Sequence, residues 1–293
     1  MINCNSCGTI PNESIPVTAP MDVVFDGKGN PIANHPTWKD ITCPNCGGNA
    51  EKETDTMDTF VQSSWYFVRY ISEFDGQKFD WDKIKEWFPI DYYIGGPEHA
   101  ISHMIYSRFF WRIFKKMGYI PKDASIEPFK NVITQGMVKK DGRKMSKSAG
   151  NGVSPEDVVD QWGCDIVRAY IMFAAPSDQD MEWDDRNIIG IQRFVNKFWN
   201  GQFKIKDMIH VPNEKNEKIA ISKIEMMNQK SERAYTKTYK FNTVIAACME
   251  TYNAISGQTN PEIWKQAYQE IIKNISPIMP HICSEMVEIN SFK

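Results

Sequence analysis

Three groups of residues in this sequence are typed and spaced so that they could do chemistry together. The first is a set of four cysteines, Cys4 and Cys7 in CNSCG and Cys43 and Cys46 in CPNCGG. Each C-x-x-C pair sets two thiolates on one tight turn, and the glycine that follows lets the backbone approach the sulfurs. Four such thiolates close a tetrahedral site suited to a structural Zn²⁺ with no open position. Free thiols, or a knuckle that has lost its metal, are the alternatives. A redox role is disfavoured because neither pair opens an apolar helix. The second group is the stretch 139–152, which is polar, basic and glycine-containing and reads as a mobile loop carrying Lys144 and Lys147; its plainest interpretation is a solvated basic surface. The third is His99 and His103, spaced to share one face of a helix. A metal pair there would need a third ligand, and Glu98 stands on the wrong side for an H-E-x-x-H arrangement.

The elements that must position these residues follow from the pattern around them. Residues 1–52 are rich in Pro, Gly, Asn and Cys and predict short strands and turns around the knuckle pair. From Glu53 the composition changes. FVQSSWYFVRYI is apolar and aromatic with near-helical spacing, which puts Phe60, Ser63 and Tyr66 on one helix face; a plain core stripe is the simpler reading of those three. DYYIGG predicts a short buried strand ending in a glycine turn, followed by a helix over about 98–117, and KNVITQGMV a second strand. Ser154-Pro155-Glu156-Asp157 is a helix start, with Ser as N-cap, Pro in the first turn and an acid three residues on; the helix ends near Gly163. IVRAYIMFAA continues as a buried helix. From about Asp185 the pattern is amphipathic helices with polar breaks at 211–217, 257–261 and 276–280. Cys164, Cys248 and Cys283 are expected as small buried apolar residues. The order is knuckle, α/β piece and helical bundle, with boundaries at 1–52, 53–184 and 185–293.

Composition sets the class. The chain has 293 residues, 42% hydrophobic and 24% charged, which is ordinary for a soluble globular protein of about two domains. A formal net charge of −3 argues against holding nucleic acid by gross charge and leaves local basic patches open. There is no run of about 18 apolar residues and no charged segment followed by an apolar one at the N-terminus, so neither a membrane span nor a secretory signal is expected, and the reading is cytoplasmic.

Lys144-Met145-Ser146-Lys147-Ser148 reads KMSKS, the signature loop of class I aminoacyl-tRNA synthetases, and it lies between strand-like VITQGMV and a capped helix, as that loop should. ETDTMDTFVQSSWYFVRY, DYYIGGPEHAISHMIYSRFF, EPFKNVITQGMVKKDGRKMSKSAGNGVSPEDVV and FAAPSDQDMEW then follow the order of the leucyl-tRNA synthetases. FNTVIAACMETYN and SPIMPHICSEM look like helices of their anticodon-binding bundle, and the knuckle with GKGNPIANHPTW resembles the leucyl type. On these residues the chain resembles the C-terminal half of a leucyl-tRNA synthetase along nearly its whole length.

The resemblance implies an α/β plus all-α architecture: a small zinc-ribbon-like module, the C-terminal half of a Rossmann-type class I catalytic domain, and an incomplete α-helical anticodon-binding bundle. It implies a leucine-tRNA ligase using ATP with Mg²⁺, leucine and tRNA-Leu. Lys144, Met145, Ser146, Lys147 and Ser148 would form the catalytic loop, its lysines meeting the charge that builds on the departing pyrophosphate. Gly95, Gly96, Glu98, Met137, Val138 and Lys147 would bind ATP, the glycines and Glu98 at the ribose and Met137 and Val138 at the adenine. Phe60, Ser63, Tyr66, His99 and His103 would surround the leucine side chain, and Cys4, Cys7, Cys43 and Cys46 would hold the metal. Two positions depart from the family: Pro97 replaces an aliphatic residue, and Ala149 replaces a lysine. The sequence shows no His-Ile-Gly-His-type motif and no editing domain, so activity is expected only with a separate N-terminal polypeptide, or not at all. A valyl, isoleucyl or methionyl relative, or a non-catalytic tRNA-binding remnant, are the rival classes.

Overall fold

The computed structural model of the chain describes residues 1–72, 79–146 and 149–290. These divide into two compact units, one formed by Met1–Ile84 with Ser102–Ala124 and the other by Lys85–Ile101 with Ser125–Lys293. These limits differ from divisions after residues 52 and 184.

The first unit opens with a four-stranded antiparallel sheet of β1 (Ile2–Cys4), β2 (Gly8–Ile10), β3 (Asp40–Thr42) and β4 (Asn49–Lys52), in the order β2-β1-β4-β3. Strands β1 and β2 form one hairpin, β3 and β4 another, and β1 pairs with β4 so that Cys4 faces Ala50. Its small core is Ile2, Cys4, Cys43 and Ala50. Short strands with so little apolar area need another cross-link to be stable.

The rest of this unit is helical: α1 (Thr59–Ser63), α2 (Tyr66–Ile71), α3 (Trp81–Trp87), through which the chain passes to the second unit, and α4 (His103–Met117). The stripe from Phe60 is therefore not one helix. Trp65 leaves the helical region (φ −140°, ψ 5°), and the Ser64 hydroxyl donates to the Phe60 carbonyl, a local bond that competes with the helix ladder. Trp65 turns into an aromatic cluster instead, with ring centres 6.4 Å from Phe114 and 6.5 Å from Phe79. Phe60 and Ser63 thus lie on one helix and Tyr66 on the next. Nor does the following helix begin at residue 98. Pro97–His99 form a single 3-10 turn, and α4 starts only at His103, so His99 and His103 do not share a helix face.

The second unit contains a parallel pair, β5 (Ile90–Gly95) beside β6 (Phe129–Thr134), registered from Ile90 opposite Phe129 to Gly95 opposite Thr134. A three-stranded sheet follows, β7 (Val138–Lys140), β8 (Arg143–Lys144) and β9 (Met181–Glu182), in the order β8-β7-β9. Strand β5 is not the buried strand expected: Tyr92 is 47% and Ile94 61% exposed. The stretch 139–152 is likewise not wholly loop. Asp141 (φ 55°) and Gly142 (φ 70°) make the two-residue turn of a β7–β8 hairpin, the φ signs of a type I′ turn.

Between β8 and β9 run α5 (Pro155–Trp162) and α6 (Cys164–Ala174). Ser154 caps α5 by accepting from the Asp157 N–H, and Gly163 (φ 84°) separates the two helices, as its sequence predicts. The bundle is α7 (Asp185–Gly201), α8 (Glu214–Arg233), α9 (Phe241–Ile255), α10 (Pro261–Ile275) and α11 (Pro280–Asn290); three of its four breaks overlap the three polar stretches, and the fourth, between α8 and α9, was not expected. Helix α9 packs against α6, α8 and α10 in one core that runs from Val158 to Met286. Cys248 and Cys283 are buried in it as expected, whereas Cys164, at the exposed start of α6, is not. No helix among the described residues is long and apolar enough to cross a membrane.

Candidate functional site

The four cysteines converge because of the strand pairing. Cys4 ends β1 and Cys7 lies in the turn to β2; Cys43 follows β3 and Cys46 lies in the turn to β4; the β1–β4 pairing then brings the two turns together. Their sulfurs all lie within 4.8 Å of one another, with Cys4 Sγ 3.6 Å from Cys46 Sγ. The second knuckle is closed by the Cys43 N–H donating to the Gly48 carbonyl (2.7 Å) and the Gly47 N–H donating to the Cys43 carbonyl (2.9 Å). Gly47 sits at φ 71°, open to glycine at no steric cost. The Cys46 backbone N–H holds the Cys43 thiol down to about 7, while the Cys46 side chain pushes Cys7 up to about 12. Four sulfurs of this spacing, two buried and two exposed, fit a closed four-thiolate Zn²⁺ site.

Elsewhere in the same unit, α1, α2 and α4 bring Ser63, Tyr66 and His103 together. The Ser63 hydroxyl is 3.3 Å from His103 Nδ1, and the Tyr66 ring lies over the imidazole with centres 6.1 Å apart. Ser107, one turn along α4 and fully buried, has its hydroxyl 3.4 Å from His103 Nε2 while donating to the His103 carbonyl at 2.8 Å. The Ser107 oxygen thus sits against Nε2 and the Ser63 oxygen against Nδ1, which together orient the ring. Phe60 stacks on Tyr106 with centres 6.2 Å apart. Sequence reasoning missed Ser107; a small polar residue four positions after His103, one turn along the same helix, is the signal that marks it.

In the second unit the end of β5 carries Gly95, Gly96, Glu98 and, on the 3-10 turn, His99. The Glu98 carboxylate folds back over Gly96, where a Cβ would collide with it. Lys144 Nζ, from β8, lies 3.5 Å from Glu98 Oε1. The Glu98 backbone N–H, and after it the Lys144 ammonium, hold this carboxyl below its ordinary value. Both side chains are well exposed, so the pair contributes little stability.

Met137 and Val138 are held from behind by the chain before and within β9. Met137 N–H donates to Asp180 Oδ1 (2.9 Å), Met181 N–H donates to the Met137 carbonyl (2.9 Å), and Lys139 Nζ pairs with Asp180. Gly136 is required there, since any Cβ would run into the backbone of Gln179 and Asp180. After β8, Asn151 spans the loop: its Oδ1 accepts from the Ser146 N–H (2.9 Å) and its Nδ2 donates to the Lys144 carbonyl (3.3 Å). Gly136 and Asn151 also escaped the sequence reading. Met145 packs against the bundle core, while Lys147 and Ser148 lie outside the described residues.

Residues 22–184 match the family model for class I tRNA synthetases (I, L, M and V). The chain belongs to this family. Within it the leucyl type is the one it resembles: 98% of the chain aligns at 46% identity with the leucine–tRNA ligase of a Nitratiruptor species, and 98% at 44% with that of Helicobacter hepaticus. Among solved structures it is similar to the ternary complex of Agrobacterium radiobacter K84 agnB2 LeuRS with tRNA and LeuAMS, at TM-score 0.79 and 33% identity, over 98% of this chain and 39% of that one. The chain spans about 36% of the length of the curated relatives it matches. This class I synthetase chain thus divides its candidate residues: Ser63, Tyr66 and His103 are in contact in one unit, and Glu98 and Lys144 are paired in the other, near the β7 backbone.

Proposed function

We propose that this chain supplies the C-terminal part of a cytoplasmic leucine–tRNA ligase, which joins leucine to tRNA-Leu with conversion of ATP to AMP and pyrophosphate. The observation that carries the reading is the alignment of 98% of the chain with curated leucine–tRNA ligases at 42–46% identity. In the first step a leucine carboxylate oxygen attacks the α-phosphorus of Mg²⁺-ATP and the bond to the pyrophosphate oxygen breaks. Lys144 and Lys147 meet the charge that develops on the leaving group, with Met145, Ser146 and Ser148 completing the loop. Glu98 accepts from the ribose hydroxyls, next to Gly95 and Gly96; until ATP binds, Lys144 occupies that carboxylate. The backbone of Met137 and Val138 faces the adenine. Phe60, Ser63, Tyr66 and His103 bound the leucine side chain, the imidazole held by Ser63 and Ser107. In the second step the tRNA 3′-terminal hydroxyl attacks the leucyl carbonyl and AMP departs, while the helices of 185–293 hold the tRNA near its anticodon. Residues 1–52 form a zinc-ribbon module on Cys4, Cys7, Cys43 and Cys46, and 53–184 the C-terminal half of the catalytic domain.

The partner surface is the His-Ile-Gly-His-type half of the catalytic domain. The parallel pair β5–β6 supports this: parallel strands normally lie inside sheets covered on both faces, and here Tyr92, Ile94 and Val132 are 47%, 61% and 49% exposed. The test is kinetic, in the enzyme assembled with such a partner. Lys147→Ala should slow leucine-dependent pyrophosphate exchange by about 10²–10³ while leaving leucine binding nearly unchanged. His103→Ala should instead weaken leucine binding and its discrimination from smaller aliphatic amino acids by roughly 1–3 kcal/mol. An unchanged exchange rate in Lys147→Ala would mean that the loop is only a solvated surface.

A further inference from the structure

The junction between α8 and α9 does not turn in an ordinary way. Residues Ala234–Thr238 form a π-helical turn, and the Tyr239 N–H closes it by donating to the Ala234 carbonyl at 2.8 Å. Tyr239 itself has φ 53°; besides the hairpin residue Asp141 it is the one described non-glycine residue in the left-handed region. A bulky aromatic residue is strained there, and such strain persists only where its surroundings over-determine it. π-Turns are also rare and concentrate at functional positions.

What over-determines Tyr239 is a pair of contacts reaching the nucleotide end of the same unit. Its hydroxyl donates to the Tyr92 hydroxyl at 2.9 Å, with ring centres 5.6 Å apart, and Tyr92 is in β5, the strand that ends at Gly95. Its carbonyl accepts from the Ser177 hydroxyl at 2.8 Å, and the Ser177 carbonyl accepts from the Gly136 N–H at 2.9 Å. Gly136 is the residue jammed against Gln179 and Asp180 immediately before Met137. One strained corner of the bundle therefore holds both pieces of backbone that flank the proposed ATP site.

We propose that Tyr239 is a positioning residue for ATP binding, acting through Ser177 on the backbone at Gly136 and Met137 and through Tyr92 on β5. This rests on the reading of Met137 and Gly95 as nucleotide contacts. A corner serving only the bundle would have no use for a strained tyrosine, since glycine reaches that φ without cost.

The proposal is tested by pyrophosphate exchange in the assembled enzyme with Ser177→Ala and Tyr239→Phe, each of which removes one of the two links. Loss of one hydrogen bond should raise the KM for ATP about two- to tenfold, with the KM for leucine unchanged. If both variants leave the ATP value where it is, or both KM values rise together, the proposal is overturned. Tyr239→Gly separates positioning from strain: it should keep or raise the melting temperature yet still raise the KM for ATP, and an unaltered KM would contradict a role for the side chain. A second measurement needs no activity. In the full chain alone, the Gly136 amide should exchange with deuterium several-fold faster in Ser177→Ala, and unaltered exchange would overturn the link. Should the assembled wild type show no exchange activity, the functional reading fails while this last measurement still decides the link.

Discussion

The helical bundle and the β5–β6 pair belong to one unit and are both rich in large apolar side chains, yet they treat them in opposite ways. In the bundle, Trp264, Ile271, Tyr268 and Phe198 are each at most 1% exposed. Two of its tyrosines also place their hydroxyls: that of Tyr252 donates to the Lys197 carbonyl at 2.7 Å and that of Tyr268 to the Phe198 carbonyl at 3.1 Å, both across the surface left open by Gly201. In β5 and β6, Tyr92, Ile94 and Val132 face outward, although Phe129 is buried against Tyr93. The bundle meets the packing requirement of a folded core from its own sequence; the strand pair does not. The chain therefore combines a self-sufficient module with a surface whose stability depends on what covers it.

The sharpest way to break this contrast is by substitution. Trp264→Ala should destabilise the chain by about 3–5 kcal/mol in urea unfolding, whereas Ile94→Ala should stay within roughly 0.5 kcal/mol in the isolated chain. Equal losses would mean that β5 is packed as tightly as the bundle. Gly201→Ala should cost about 1–3 kcal/mol, because the new methyl would meet the Tyr268 and Tyr252 hydroxyls.

A smaller effect comes from pH. Burial raises the thiols of Cys248 and Cys283 above their ordinary 9.0 and the phenol of Tyr268 above 10.0. Their neutral forms are favoured by folding, so this stability is fully present below about pH 9 and is lost as pH rises through the thiol and phenol ranges. Unfolding of the helices, followed by circular dichroism, should therefore shift to lower urea between pH 8 and pH 10.5, and less so in Cys248→Ala.

The knuckle provides the last comparison. The freshly purified, reduced chain should carry about one Zn²⁺, released by Cys43→Ser. Chelation should expose the amides of β1–β4 to exchange while leaving the bundle transition in place. Absence of metal would leave the ribbon without its cross-link.

Much of this architecture is legible in the sequence because the signals are local. The two C-x-x-C pairs, the Ser154-Pro155 cap, Gly163 and the polar breaks of the bundle each act within a few residues. What escaped depends on partners distant in the chain. The stripe at Phe60 keeps helical spacing, but Trp65 is drawn into a cluster with Phe79 and Phe114, and the helix resets. Residues 98–117 look continuous, yet Pro97 starts only one 3-10 turn. The Asp141-Gly142 hairpin was readable, since an Asp-Gly pair between two extended segments favours that turn, but the lysines around it suggested a loop. Among the candidate residues, the contacts Ser63–His103 and Lys144–Glu98 join residues named from the family's motifs, whereas Ser107, Gly136 and Asn151, which contact such residues, were not readable because each acts on groups set by the fold.

The central proposal is that this chain supplies part of a leucine–tRNA ligase site that is completed only by the His-Ile-Gly-His-type half of the catalytic domain. Leucine-dependent exchange of pyrophosphate into ATP tests it most directly, measured on the purified chain alone and after mixing with the N-terminal portion of a leucine–tRNA ligase. The account predicts no exchange above background alone and leucine-specific exchange after mixing. Robust exchange by the chain alone, or none in either case, would contradict it.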